Sequence, residues 1–299
     1  MGRPSQLTQF YNLFVNFFNK ETKRSYTEKK IKQLLDALIF RTDGLTKRSV
    51  EIINFLERRG ELIESMIYYN NPERTLFSRV YSWKTSNDFT VMSGIKYNSY
   101  YSHYTAMSIH NLTLQLPKTI YLNFEKSNPY ETRGENKEKR LELKQDSIDK
   151  AFINPQRKTS LELIYKDLNV ILINGKFTDR LGVLMESQED RLFYYTNLER
   201  TLIDIAVRPD YSGGVFEVLE AYLKAKNKCN SEKLAKYLSE LNYIYPYHQV
   251  IGFYMQKAGY PQSMYKLFKK NIQYKFYLTY NMRRKAFSEE WQLFYPLGM

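Results

Sequence analysis

The apolar positions along this chain change period several times, and each change marks an element. Leu7, Phe10, Tyr11, Phe14, Phe17 and Phe18 recur at helical spacing and predict an amphipathic helix packed on a core. Ser25 and Glu28 have the spacing of a capping box, and Ile31, Leu34, Leu35, Leu38 and Ile39 then share one face of a second helix. Asp43-Gly44 turns the chain. A third helix is expected from about Lys47 to Arg59, capped by Thr46, with Val50, Ile53 and Leu56 inward and Gly60 ending it. Beyond Gly60 the pattern becomes strand-like at Leu62-Ile63 and Met66 to Tyr69. Asn70-Asn71-Pro72-Glu73 reads as a turn, and a strand returns from Thr75 to Trp83.

Three helices and a hairpin in this order predict an N-terminal winged helix-turn-helix. In that arrangement the third helix enters the DNA major groove and the hairpin lies along the backbone or minor groove. Lys47, Arg48, Glu51, Asn54 and Arg58 project outward from the third helix, with Ser49 near its start. Arg and Lys can donate to guanine O6 and N7, Asn can pair with adenine N6 and N7, and Ser49 and Thr46 suit phosphate. Arg74 and Arg79 on the returning strand are the expected phosphate contacts, joined by Lys23, Arg24, Lys29 and Lys30. Residues 1–84 carry 15 Lys and Arg against 9 Asp and Glu, a net of +6 that suits this assignment without compelling it. The alternative reading of the same helix face is plain solvation.

The polar stretch Lys84-Thr85-Ser86-Asn87-Asp88 is read as a junction, giving domains 1–84 and 89–299. The C-terminal domain is expected to be mixed α/β: a helix over Ser99–Leu112, a strand over Thr119–Phe124 and an exposed loop between Glu125 and Gln145. Strands follow at Leu168–Ile173 and Leu192–Thr196, with Asn174-Gly175 as a hairpin signal. The fold class is therefore α+β, a winged helix followed by a larger mixed α/β domain.

The most ordered pattern comes next. Thr196 and Glu199 have capping-box spacing, Leu198, Leu202, Ile205 and Ala206 make an apolar face, and Pro209 ends the helix. Gly213-Gly214 reverses the chain into a helix carrying Val215, Val218, Leu219, Tyr222 and Leu223. Glu199, Arg200, Asp204, Arg208 and Asp210 remain as charges on or beside that helix, and Arg200 and Asp204 form an i, i+4 pair. Taken alone, they read as a solvated face with local ion pairs.

The run Glu199-Arg200-Thr201-Leu202-Ile203-Asp204, followed by Arg208-Pro209-Asp210-Tyr211-Ser212-Gly213-Gly214 and Glu217-Val218-Leu219, resembles the signature of the AbiEi family of bacterial antitoxins. Three further blocks extend the resemblance: Tyr100 to Met107, Leu116 to Tyr121, and Tyr245 to Tyr254. The resemblance implies an antitoxin of a type IV toxin-antitoxin system. Such a protein represses its own operon by binding double-stranded operator DNA, and its C-terminal domain counteracts a cognate nucleotidyltransferase-like toxin, without a stable complex being required. It places antitoxin function on Glu199, Arg200, Asp204 and Arg208. The competing reading is a winged-helix transcriptional regulator with a partner- or ligand-sensing C-terminal domain.

Composition narrows the classes. The chain has 299 residues, a formal net charge of +13, 27 Tyr, 18 Phe and one cysteine, Cys229. A lone cysteine makes no internal disulfide and suits a reducing cytoplasm, and no stretch has the ~20 apolar residues needed to span a bilayer. Cytoplasmic location and an anionic partner, nucleic acid rather than membrane, are expected. From Leu241 to Ser288 there is no acidic residue, while lysines, arginines and tyrosines alternate. That composition suits either a single-stranded nucleic-acid groove or helices with aromatic cores.

His103, His110 and His248 are too few for most acid/base or zinc sites. No G-x-S-x-G elbow, phosphate loop or dinucleotide fingerprint is present, so no catalytic residue, metal or cofactor is expected. Asp210 and Glu217 suggest a nuclease carboxylate pair, but Leu219 stands where its lysine belongs.

Overall fold

The computed structural model of the chain describes residues 5–70, 76–127, 142–188 and 190–299. The fold is mixed α/β, and the chain forms two compact units. The first comprises residues 1–100, 161–172 and 185–194, the second residues 101–160, 173–184 and 195–299.

The first unit opens with α1 (Gln6–Gln9), α2 (Tyr11–Lys20), β1 (Ser25–Thr27), α3 (Glu28–Phe40) and α4 (Ser49–Arg58). They are followed by β2 (Leu62–Tyr69), β3 (Phe77–Trp83) and α5 (Asp88–Ser93). β2 and β3 pair antiparallel from Leu62 opposite Trp83 to Tyr68 opposite Phe77, and β1 pairs with the other edge of β3. The single helix expected over Leu7–Phe18 is divided at Phe10 into α1 and α2; of its stripe Phe14 and Phe18 are fully buried, and the Phe18 ring stacks on Trp83 at 4.8 Å. Ile31, Leu35, Ile52, Ile53 and Leu56 complete this core.

Three helix starts lie beside the expected residues. Thr27, not Ser25, caps α3 by accepting from the Lys30 N–H at 3.2 Å, while Ser25 sits in β1 and donates to Val91 O. At α4 the cap position is Arg48, whose N–H is held by the Glu51 carboxylate at 3.1 Å; Thr46 instead bonds Gln6. Asn197 rather than Thr196 caps the helix of the signature block. At α3 and at the signature helix the cap is the residue immediately before the first helical turn, where its side-chain oxygen reaches the N–H three residues on, whereas at α4 the Glu51 carboxylate bonds the cap residue's N–H instead.

The stretch 84–88 is not a solvated linker. Thr85 is buried, its hydroxyl donates to Asp190 O, and Asn87 caps α5. Residues 85–100 pack within the first unit. So does β6 (Glu162–Tyr165), a strand that the hydrophobic pattern did not announce, with the opening of β7 (Leu168–Gly175), where a strand was expected. The two form a hairpin that turns at Lys166, which has φ +55. β6 also pairs with β2, Tyr68 opposite Ile164.

The second unit holds α6 (His103–Ile109), β5 (Thr119–Glu125) and α7 (Gln145–Ile153), with the end of β4 (Tyr100–Tyr101), the start of β8 (Val183–Gln188) and the end of β9 (Arg191–Thr196). α8 (Leu198–Val207), α9 (Val215–Ala225), α10 (Ser231–Leu241), α11 (Tyr247–Lys257) and α12 (Gln262–Tyr265) follow. The unit ends in β10 (Phe276–Tyr277), β11 (Lys285–Ser288) and β12 (Leu293–Pro296). Asn174-Gly175 is not a turn, because β7 runs through it. Gly175 is needed for closeness: a Cβ there would lie 2.6 Å from Asn123 Oδ1. Gly213 and Gly214 do reverse the chain, both at positive φ.

Four tyrosines of the basic segment are core, and Tyr243, Tyr245, Tyr265, Tyr274 and Tyr280 pack against it partly buried. Tyr247, Tyr254, Tyr260 and Tyr277 are buried, and Tyr254 stacks on Tyr222 at 5.2 Å. Gly252 of α11 admits Trp291 so closely that a Cβ would meet its ring at 2.2 Å. The aromatic-core reading of 241–288 therefore holds for these residues, and they present no exposed stacking groove.

Candidate functional site

In the first unit, α4 buries Ser49, Ile52, Ile53 and Leu56, positions i, i+3, i+4 and i+7. This corrects two expectations. Ser49 is 8% exposed and turns inward, away from any phosphate, while Val50 is 45% exposed and turns outward. The outward stripe is Lys47, Val50, Glu51, Asn54 and Arg58, with Arg48 beside it. Glu51 ties the two cations down: its carboxylate lies 3.0 Å from Lys47 Nζ and 3.6 Å from Arg48 Nε. The Arg48 N–H bond, and then Lys47, hold its pKa below the usual carboxylate range. Arg79 is not a free phosphate ligand, since its guanidinium lies 2.7 Å from Glu64 and 3.9 Å from Glu28. Arg74 lies outside the described residues.

In the second unit the charged residues of the signature helix have a different setting from the expected solvated face. Every residue of α8 from Glu199 to Ala206 is buried. Arg200 Nε donates to Asp204 Oδ1 at 2.8 Å, with both side chains under 10% exposed, and Arg200 Nη1 donates to Leu181 O at 2.8 Å. Glu125 organises the strand-to-loop corner beneath, accepting from Thr178 N at 2.9 Å and from Arg180 N. Glu199 points elsewhere. It accepts from Asn230 N at 3.1 Å and pairs with Lys233 at 2.8 Å, fastening α8 to the start of α10. Burial alone would raise its pKa, but Lys233 and the Asn230 N–H outweigh that and lower it.

Arg200, Asp204 and Arg208 line a cavity of about 450 Å³, together with His103, Asn123, Lys126, Gly175, Lys176 and Tyr243. Lys176 Nζ donates to Leu241 O at 3.1 Å, and Arg208 reaches Arg157 O at 3.3 Å and lies over the Tyr211 ring. Asp204 Oδ2 has no hydrogen-bond partner among the described residues. Burial pushes the Asp204 pKa up, against the pull of Arg200. An orphaned buried oxygen costs about 1–3 kcal/mol and calls for a reason at the site.

His103 opens α6 with φ +51, a left-handed conformation that a histidine occupies at a cost. Its Nδ1 lies 2.8 Å from Ser102 Oγ and its ring meets Tyr211 edge-on. Burial, then Arg208 and Arg200, lower its pKa to about 3, so the ring is neutral at pH 7. His110 lies apart, its Nε2 2.8 Å from Thr196 O.

The cavity thus gathers Arg200, Asp204 and Arg208 and leaves Glu199 out. Lys126, Lys176, Asn123 and Tyr243 were missed: the lysines carried no pattern, and Asn174-Gly175 read as a turn. Asp210 and Glu217 do not form a pair with shared partners; Asp210 lies 3.8 Å from Lys158, and Glu217 accepts from Thr113 at 2.7 Å.

No family model matches the sequence, and no curated protein matches it. Among solved structures the chain is similar to the crystal structure of the RV2827C protein from Mycobacterium tuberculosis. The match has 13% identity and a TM-score of 0.50, and covers 96% of this chain and 91% of that one. At that identity the likeness concerns the fold alone. Among the described residues no helix is long and apolar enough to cross a membrane.

Proposed function

We propose that this chain is a DNA-binding antitoxin of the AbiEi type. Its first unit is a winged helix that binds operator DNA and represses its own operon, and its second unit counteracts a nucleotidyltransferase-like toxin without catalysing a reaction. The observation that carries the DNA reading is the outward stripe of α4. Lys47, Val50, Asn54 and Arg58, with Glu51 paired to Lys47 among them, stand opposite a face that Ile52, Ile53 and Leu56 anchor. A row of cation, apolar, amide and cation groups suits a major groove, where Val50 can meet a thymine methyl and Asn54 an adenine edge. The antitoxin part rests on the sequence resemblance around Glu199 to Leu219.

The test pairs two assays. Fluorescence anisotropy on the DNA upstream of the gene should show Asn54→Ala losing roughly 1–3 kcal/mol of operator affinity and little affinity for random DNA. Co-expression with the neighbouring toxin gene should show growth rescue by the parent chain. Unchanged operator binding by a Lys47→Ala, Arg48→Ala, Asn54→Ala triple variant would sink the DNA assignment, and absent rescue would sink the antitoxin one.

A second reading, a regulator whose second unit senses a ligand, is favoured by one observation: the cavity under α8 has the size of a small-molecule site. Full repression without a toxin gene nearby would support it.

A further inference from the structure

The cavity of the second unit carries more positive charge than its own carboxylate balances. Among the described residues Lys126, Lys176, Arg200 and Arg208 line it with one acid, Asp204, and the carboxylate of Glu125, bonded to Thr178 N, is near enough to act on Asp204. Arg200 is committed to Asp204 at 2.8 Å, so Lys126, Lys176 and Arg208 are the lining cations left beyond that pair, around a volume of about 450 Å³. His103 adds no charge and contributes a neutral ring to the wall.

We propose that this cavity binds a small phosphate ester bearing hydroxyl or N–H donors, a ligand the size of a nucleoside monophosphate, with its phosphate on Lys126, Lys176 and Arg208 and one of its donors on Asp204. Two independent features point there. Three cations around one space fit a dianion whose oxygens accept several charge-assisted bonds at once, and arginine with lysine supplies both a planar fork and point charges. Separately, Asp204 Oδ2 is buried and lacks a partner among the described residues although Oδ1 is held by Arg200. An aspartate's terminal torsion is soft, so a small rotation of the carboxylate presents Oδ2 to the cavity without breaking the helix. Inorganic phosphate offers Asp204 at most a P–OH, whereas an ester with ribose-type hydroxyls or a base N–H brings additional donors for that oxygen while its phosphate occupies the cations. The volume lies within the range of small-molecule pockets.

The site does not depend on DNA binding or toxin rescue, so its test is run on the purified full-length chain alone. Isothermal titration with adenosine 5′-monophosphate, ribose 5-phosphate, inorganic phosphate and adenosine separates the sources of the chemistry. Saturable binding of either ester, with adenosine silent and inorganic phosphate weaker, is the expected result. Lys126→Ala and Arg208→Ala should each weaken the ester roughly tenfold or more, as removal of a charge-assisted bond would. Lys236→Ala, on the exposed face of α10, should change nothing. Asp204→Asn should weaken the ester and leave inorganic phosphate binding as it was, which a purely structural role would not do. Silence with both esters at millimolar concentration overturns the proposal. So does binding that ignores the Lys126 and Arg208 changes, binding of inorganic phosphate as tight as that of the esters, or binding only of a phosphoserine peptide.

Discussion

Arg200 and Asp204 show what one residue pair reveals to a sequence reader and what it hides. Their i, i+4 spacing and mutual pairing were legible, because helix geometry alone brings such side chains together. Their burial was not, since charged residues opposite an apolar face ordinarily mean solvent. What covers the guanidinium is the corner around Leu181 and Thr178, which accepts from it. The change of setting changes the magnitude: an exposed pair is worth about 0–1 kcal/mol, whereas removing one partner of a buried pair costs about 3–5 kcal/mol. Arg200→Ala is therefore expected to lower stability by roughly 3–5 kcal/mol in urea melts, because it leaves Asp204 unpaired. Asp204→Asn, which keeps the shape and an acceptor, should cost clearly less. Equal and small losses for both would mean that the pair is hydrated in solution.

At the scale of elements, the existence of α2, α3 and α4 and of the β2–β3 hairpin was readable from period alone, and the phase of α4 was not. Val50, Ile53 and Leu56 make a helical stripe on paper, but Ser49, Ile52, Ile53 and Leu56 make the stripe that packs. Ser49 is small enough to go inward and leave Val50 exposed. Asn174-Gly175 failed for a related reason: its glycine lies in β7 against the Asn123 side chain, not in a turn. The correct phase also exposes a brake on α4, because Glu51 holds both Lys47 and Arg48 at the end proposed above to meet DNA. Glu51→Gln removes that charge while keeping an acceptor for the Arg48 N–H, so the helix should lose at most about 1 kcal/mol. Random-sequence DNA should bind more tightly, with a salt dependence steeper by about one unit as a cation is freed for phosphate. Anisotropy across a salt series reads this directly, and an unchanged slope would show that the two cations do not meet DNA.

At the scale of the whole molecule, the sequence suggested a cut at Lys84–Asp88, and the packing of the first unit argues against cutting there. Local polarity made the stretch look like a linker. The contacts that contradict it come from about a hundred residues later in the chain and leave no local trace: Thr85 donates to Asp190 O, Phe89 packs on Phe193 at 5.4 Å, and β6 pairs with β2. A fragment from Phe89 to Met299 keeps residues 161–172 and 185–194 but loses α1–α4 and β1–β3, with which they form a unit. It strips the partner from the edge of β6, exposing unpaired backbone of the kind that templates aggregation. The fragment is expected to elute as soluble aggregate and to melt well below the full chain. A monomeric fragment with an unshifted melt would instead establish the junction as a true boundary. This ordering decides how a rescue experiment is read. Failure of an aggregated fragment says nothing about which unit opposes a toxin. Full-length variants that stay folded carry that test: Asn54→Ala in the first unit and Arg208→Ala in the second should separate repression from rescue.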